Sequence, residues 1–423
     1  MPFHHASVRR FCRRACVIAL ALTASAALGQ RVDGLTFEQA VTTAVQRAPM
    51  VAARTASAEG AAVARVSADR LPDPRLTAGV ENLPVTGADR FSLTSDFMTM
   101  GRIGWMQDVP NRDKRAARAD AAQALAQRER ALLAAERQVV RRSAALAWLE
   151  RYYAEKRLGL FSALEGENQV LQQTVNARVA AGRAVPADAT MARLESVQLA
   201  DRRDELERER AQAQASLTRW VGSAGTGPLL GHPTLPSLDP ARLPENIARH
   251  IELAAFEPMA RMAAAEAREA QASKKGDWAW EVAYAKRGSE FSDMVSIQLS
   301  FELPLFAAKR QDPRIYAKRK EVERIEAERE EKLRERLEDI EAQLAQQVEM
   351  TRRLSRLRDT ALPLAEERVR LTLASYQAGR TDLGSVLAAR RDRVEMQLDV
   401  IQTEGQLAAL HAQLAYLFTE NRP

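Results

Sequence analysis

Leu125, Leu132, Val139, Leu146, Tyr153 and Leu160 recur every seven residues. Five consecutive heptad steps describe a helix whose apolar seam packs as a coiled coil rather than into a globular core. The helix extends over residues 112–181, about 70 residues and so roughly 105 Å at about 1.5 Å per residue. Ala181-Gly182-Arg183 stops it, Pro186 opens the next helix, and that helix returns over 187–221.

The same plan occurs twice, and a duplication of this kind governs the fold. The first copy, residues 30–221, opens with a helix over 36–69 that Pro72 and Pro74 end, then strand-like stretches at 75–83 and 99–109, then the long and return helices. Residues 222–244, rich in Gly and Pro, read as a linker. The second copy, 245–423, repeats the order: a helix over 245–274 despite Pro258, strands at 278–286 and 294–303, a long helix over 314–378 that Pro363 should kink, and a return helix over 383–418. Val322, Ile325, Leu333, Leu337, Ile340, Leu344 and Val348 lie on one stripe of that long helix. Its turn, Ala378-Gly379-Arg380, mirrors the first.

Composition agrees. Aromatic residues make up 5% and charged residues 28% of 423 residues, as in long helices rather than a compact α/β enzyme. The net charge of +6 is partly due to the N-terminus, and no sustained basic block follows, so nucleic acid is not an expected partner. Residues 1–29 read as a signal peptide. Arg9, Arg10, Arg13 and Arg14 precede a short apolar run, and small-residue cleavage sites follow it. Both cysteines, Cys12 and Cys16, lie in this leader, so the mature chain has neither disulfides nor thiolate ligands. Cys16 precedes the apolar run, the wrong place for a lipid-anchored cysteine.

The segment 294–303 is the most informative strand. Val295, Ile297, Leu299, Phe301 and Leu303 point one way, while Met294, Ser296, Gln298, Ser300 and Glu302 point the other. Such alternation over ten residues fits a membrane barrel strand, with lipid on one side and water on the other. Trp105, Trp278, Trp280 and Tyr284 fall in the strand regions, as an interfacial aromatic girdle requires. A small soluble sheet packed on helices is the competing reading. Four strands cannot close a barrel and open edges are not tolerated in lipid, whereas three chains supply twelve strands.

The plan and its motifs resemble the TolC family of outer-membrane efflux channels over nearly the whole mature chain. The strongest marks are RVAAGRAVPADATMARLE (178–195) and SYQAGRTDLGSVLAARRD (375–392). LPDPRLTAGVENLPV (71–85) and MTMGRIGWMQDVP (98–110) are similar to the heavy-metal-efflux branch. The resemblance implies an α+β homotrimer with a twelve-stranded barrel in outer-membrane lipid and an α-helical barrel through the periplasm. It also implies an equatorial region built from the N-terminal segment, the linker and the C-terminal part. The expected partners are a periplasmic adaptor (membrane fusion) protein and an inner-membrane pump, and the duct itself would be passive. The adaptor would meet the tip residues Gly182, Arg183, Gly379 and Arg380. Asp188, Asp382 and Ser385 are pore-constriction candidates, with helix capping the alternative role of the two acids. Where relatives carry acidic residues after the second turn, this chain has small ones such as Ser385 and Ala388.

No cofactor, resident metal or catalytic residue is expected. Met98, Met100 and Met106 read as filler or lipid-facing side chains rather than a soft-metal path. His232, His250 and His411 are scattered, and no GxSxG or Walker motif occurs. The rival function is a periplasmic coiled-coil adaptor or scaffold, which would place a β-domain on a single hairpin without duplicating the whole plan.

Overall fold

The computed structural model describes residues 34–418, so the expected signal peptide lies outside them. The chain opens with helices α1 (Phe37–Arg47) and α2 (Pro49–Ala64) and strands β1 (Arg75–Glu81) and β2 (Met100–Val109). Helices α3 (Arg112–Ala180) and α4 (Pro186–Val221) form the first long hairpin. Helix α5 (Phe256–Ala272), strands β3 (Trp278–Lys286) and β4 (Met294–Phe301), and helices α6 (Ala307–Arg356), α7 (Leu362–Gln377) and α8 (Leu383–Ala415) complete the second copy.

Prolines account for most departures from the expected boundaries. The helix expected over 36–69 breaks at Ala48, which is extended because the ring of Pro49 disfavours helical geometry in the residue before it. Thr36 caps α1 through a capping box with Gln39. The helix expected from residue 245 starts at Phe256 instead. Pro258 then sits in the first turn, where its missing N–H has no partner to lose. The second long helix starts at Ala307, earlier than expected. Asp312, ion-paired with Lys274, lies in the turns ahead of Pro313. The irregularity expected at Pro363 takes the form of a π-turn over Leu357–Ala361, after which the proline stands in the first turn of α7. The first strand stops at Glu81 because Asn82 has a positive φ of 55° and its carbonyl accepts from the Thr99 hydroxyl.

The coiled-coil seam lies one position away from the expected one. Val140, Ala147, Ala154, Phe161, Asn168 and Val175 form the fully buried heptad stripe of α3, while the stripe from Leu125 to Leu160 is only half-buried. The buried side of α3 mixes small and large side chains, with Ala144, Ala147 and Ala154 buried alongside Trp148, Leu149 and Phe161. In the second copy only Ile325 and Ile340 of the expected stripe are buried, and Val348 is exposed.

The main core surrounds Trp148, which is fully buried and donates its indole N–H to the Leu35 carbonyl at 3.1 Å. Phe37 packs edge-on against it, and Leu217, Val221 and Ala412 join the same cluster. The linker is held down by the buried Arg151, which donates to the carbonyls of Gly225 (2.5 Å) and Gly227 (2.8 Å). Beyond α8 an antiparallel bridge joins Phe418 to His250, beside a second cluster of Leu243, Ile340, Leu410 and Leu414.

The four strands form one antiparallel sheet in the order β1-β2-β3-β4, so strands from the two copies pair through β2 and β3. A junction ties sheet to helices. Asn111 caps α3 and takes the Asp277 carboxylate on its own N–H at 2.9 Å, and Lys114 pairs with the same carboxylate at 2.7 Å. Gly276 is required here, because a Cβ would lie 1.7 Å from the Glu302 carbonyl oxygen.

Candidate functional site

The sheet has two chemically distinct faces. Its register lines up Leu76, Trp105, Val282 and Ile297 in one row. Ile103, Tyr284 and Val295 form the next row, and Trp280 pairs with Leu299 and Trp278 with Phe301 on the same face. All of these except Trp280 are exposed, and Ile297 reaches 74%. The opposite face carries Arg102, which pairs with Glu81 at 2.6 Å and with Glu281 at 3.0 Å, and Arg75, which pairs with Asp108 at 2.5 Å. Ser296, Gln298 and Ser300 continue it along β4. Met100 and Met106 also lie on this polar face, since the register alternates them with Ile103 and Trp105. Both outer strands, β1 and β4, have one unpaired edge among the described residues.

The candidate girdle residues do not form one ring. Trp278 and Trp280 sit at the end of the sheet next to the helices, Trp105 in the middle row, and Tyr284 toward the loops, where its hydroxyl bonds Asp293.

At the far end of the hairpins, roughly 100 Å of helix away, the two Ala-Gly-Arg turns have the same geometry. Gly182 has φ +65° and Gly379 φ +72°. The Arg183 N–H bonds the Arg178 carbonyl at 2.8 Å and the Gly182 N–H that of Val179 at 3.0 Å, with Arg380 to Ser375 and Gly379 to Tyr376 repeating the pattern. These are Schellman turns, which need the left-handed residue that glycine supplies. Arg183 and Arg380 are exposed.

The constriction candidates separate. Asp382 is the exposed N-cap of α8 and accepts from the Ser385 N–H at 2.7 Å; hydrogen bonds from Ser385 hold its carboxyl below the usual range. Asp188 is neither a cap nor open to solvent. It lies buried in the first turn of α4, and its carboxylate accepts from the Tyr376 hydroxyl at 3.3 Å. The Tyr376 ring carries the Arg178 guanidinium at 4.6 Å, so Arg178, Tyr376 and Asp188 bind the first hairpin to the second. Around them Val175, Ala192, Leu383 and Val386 make a separate apolar cluster.

No protein-family model and no curated protein matches this chain. Solved structures do. A membrane protein from Pseudomonas aeruginosa superposes with a TM-score of 0.78 at 19% identity, covering 91% of both chains. CusC, described as forming a transmembrane channel, gives 0.77 at 15% identity, covering 90% of this chain and 91% of its own. The Vibrio cholerae outer membrane protein VceC gives 0.74 at 19% identity, covering 90% and 95%. The chain has the TolC-type channel fold.

Within this fold, the sheet and the paired tips are its two chemically distinctive ends. Arg178 and Tyr376 were not singled out from the sequence. In an alignment of the two Ala-Gly-Arg turns Tyr376 stands where the first copy has Val179, and Asp188 where the second has Ser385, but most flanking positions differ as well, so the sequence alone does not single these residues out. No group of three or more His, Asp or Glu among the described residues could hold a metal ion.

Proposed function

We propose that the chain is the outer-membrane duct of a tripartite efflux assembly and works as a homotrimer. The observation that carries this reading is the open four-stranded sheet, apolar and exposed on one face and charged on the other, at one end of hairpins about 100 Å long. Unpaired β1 and β4 edges in lipid need partners, and three copies supply twelve strands in a closed barrel. The apolar face then meets lipid and the Arg102–Glu281 face lines water. Exposed apolar residues on the long helices, Leu194 and Val197 on α4 and Leu364 and Leu371 on α7, are the surfaces such a trimer buries. No helix among the described residues is long and apolar enough to cross a membrane. Residues 1–29 serve as the export signal.

The tips, with Gly182, Arg183, Gly379 and Arg380, meet a periplasmic adaptor that couples the duct to an inner-membrane pump. Asp382 and Ser385, half-exposed or exposed at the start of α8, are the better constriction candidates, because Asp188 is committed to Tyr376. Heavy-metal cations are the proposed cargo, a reading supported by the stretches 71–85 and 98–110. The duct performs no catalytic step. Deletion in the native host followed by a panel of metal salts and organic toxicants tests it: sensitivity to metals alone supports the full reading, and unchanged tolerance to every compound refutes export. Light scattering of the detergent-extracted protein tests the trimer, which a stable folded monomer would exclude.

A further inference from the structure

His250 is 1% exposed and stands in the segment that leads into α5, with the end of the chain folded over it. An antiparallel bridge pairs it with Phe418, whose ring meets the imidazole edge-on at 6.2 Å between centroids. The Ile251 N–H donates to the Leu417 carbonyl at 3.0 Å, and the Leu417 side chain is buried among Leu243, Ile340 and Leu414. The residues that follow α8 are thereby fastened to the approach to α5.

The imidazole fits this place only when neutral. Its Nδ1 accepts from the Glu252 N–H at 3.2 Å, so the neutral ring carries its proton on Nε2. A second proton would sit on Nδ1 and set donor against donor. Its charge would also be buried with little to balance it. Glu252 is already shared between Lys332 at 3.2 Å and Arg336 at 3.5 Å, both on α6. Glu335 and Asp339 are engaged with the same two cations. Arg142 of α3 adds a third positive charge nearby, and Arg249, the preceding residue, is exposed. Burial is the largest cause that holds the imidazole below the ordinary histidine range, and Arg336, Arg142 and Lys332 add to it against Glu252.

We propose that His250 is an acid-sensitive latch, which releases the end of the chain from Leu417 onward when the imidazole takes up a proton. The charged ring moves out to water, and Phe418 and the Leu417 carbonyl, which lie over it, are displaced with it. The end of α8 then loses its tie to the approach to α5, while the core around Trp148 stays closed. The latch lies within one chain and is independent of the export reading. With the latched ring neutral and the released ring titrating at about 6.5, acidification from pH 7.5 to 5 favours release by up to about 30-fold.

The test uses the mature protein in non-ionic detergent. Both cysteines lie in the leader, so Leu417→Cys provides a single buried thiol under the latch. Its rate of reaction with 4,4′-dithiodipyridine, divided at each pH by the rate for the same protein in guanidinium, reads release. Protection should fall about tenfold or more from pH 7.5 to 5, while a Leu217→Cys thiol in the Trp148 core stays protected. His250→Asn, whose Oδ1 replaces the Nδ1 acceptor without titrating, should hold the Leu417→Cys protection constant. Arg336→Gln, which removes one of the opposing cations, should move release to higher pH. If Leu417→Cys fails to fold, Phe418→Cys gives the same readout from the half-buried neighbouring position. Protection independent of pH, an equal loss in His250→Asn, an unchanged release pH in Arg336→Gln, or a parallel loss at Leu217→Cys overturns the proposal.

Discussion

Replacing Ile297 with lysine tests the assignment of the sheet faces at its most sensitive point. Ile297 lies in the middle row of the apolar face, beside Val282, with a further row of β3 residues above and below, and it is 74% exposed. If that face meets lipid, the lysine lies near the bilayer midplane, where a cationic side chain costs about 2–4 kcal/mol. Three copies per trimer bring the total to about 6–12 kcal/mol, comparable with the whole stability of a typical folded protein, about 5–15 kcal/mol. Assembled trimer should therefore be nearly lost. Ser296→Lys, one residue away and opposite Ala283 on the polar face, should assemble normally. The assay is the yield of heat-resistant trimer in the outer-membrane fraction. On a soluble sheet, Ile297→Lys would be an ordinary surface change within about 0.5 kcal/mol. Equal yields from the two variants, or the greater loss from Ser296→Lys, would refute the facing and with it the barrel.

Charge reversal at both tips, Arg183→Glu with Arg380→Glu, should leave trimer yield intact and abolish adaptor crosslinking and efflux, because both side chains are exposed on Schellman turns that do not depend on them. Retained crosslinking and resistance would make the arginines mere solvated helix ends. Tyr376→Phe keeps the ring under Arg178 but removes the hydroxyl from the buried Asp188, and should destabilise the tip by about 1–3 kcal/mol, read as a lower unfolding midpoint. A midpoint equal to that of the parent protein would show that the contact is not stabilising. Burial lowers the pKa of His250, with nearby Arg336, Arg142 and Lys332 adding to the effect and Glu252 opposing it. The unfolded chain therefore takes up the proton first, and the stability that His250 contributes is present above about pH 6.5 and falls as the pH drops toward its folded value. Melting curves between pH 7.5 and 5 should show this loss, and His250→Asn should flatten it.

The periodic features of the fold were legible in the sequence because each repeats a local geometric rule over many residues. Five heptad steps over Leu125–Leu160 define a long helix whatever it packs against, and alternation along 294–301 separates an apolar face from a polar one. The two Ala-Gly-Arg turns mark their own positive-φ positions. Boundaries were less legible where a proline could be read two ways. Pro258 sits harmlessly in a first turn, and a π-turn prepares the way for Pro363, choices set by what the flanking chain meets.

Side-chain partners needed the tertiary structure. Sequence periodicity fixes which residues share a stripe, but not which of two adjacent stripes meets a neighbour. Packing around α3 buried Val140, Ala147 and Phe161 and left Leu146 and Tyr153 on the flank, because the neighbouring helices cover one stripe and only the edge of the next. Asp188 shows the same limit. At the start of a helix, an aspartate reads as a cap or as a charge open to solvent, and nothing local distinguishes a third outcome. Only the approach of the second hairpin, which brings Tyr376 from 188 residues away in the chain to 3.3 Å, made it a buried tie between the two copies.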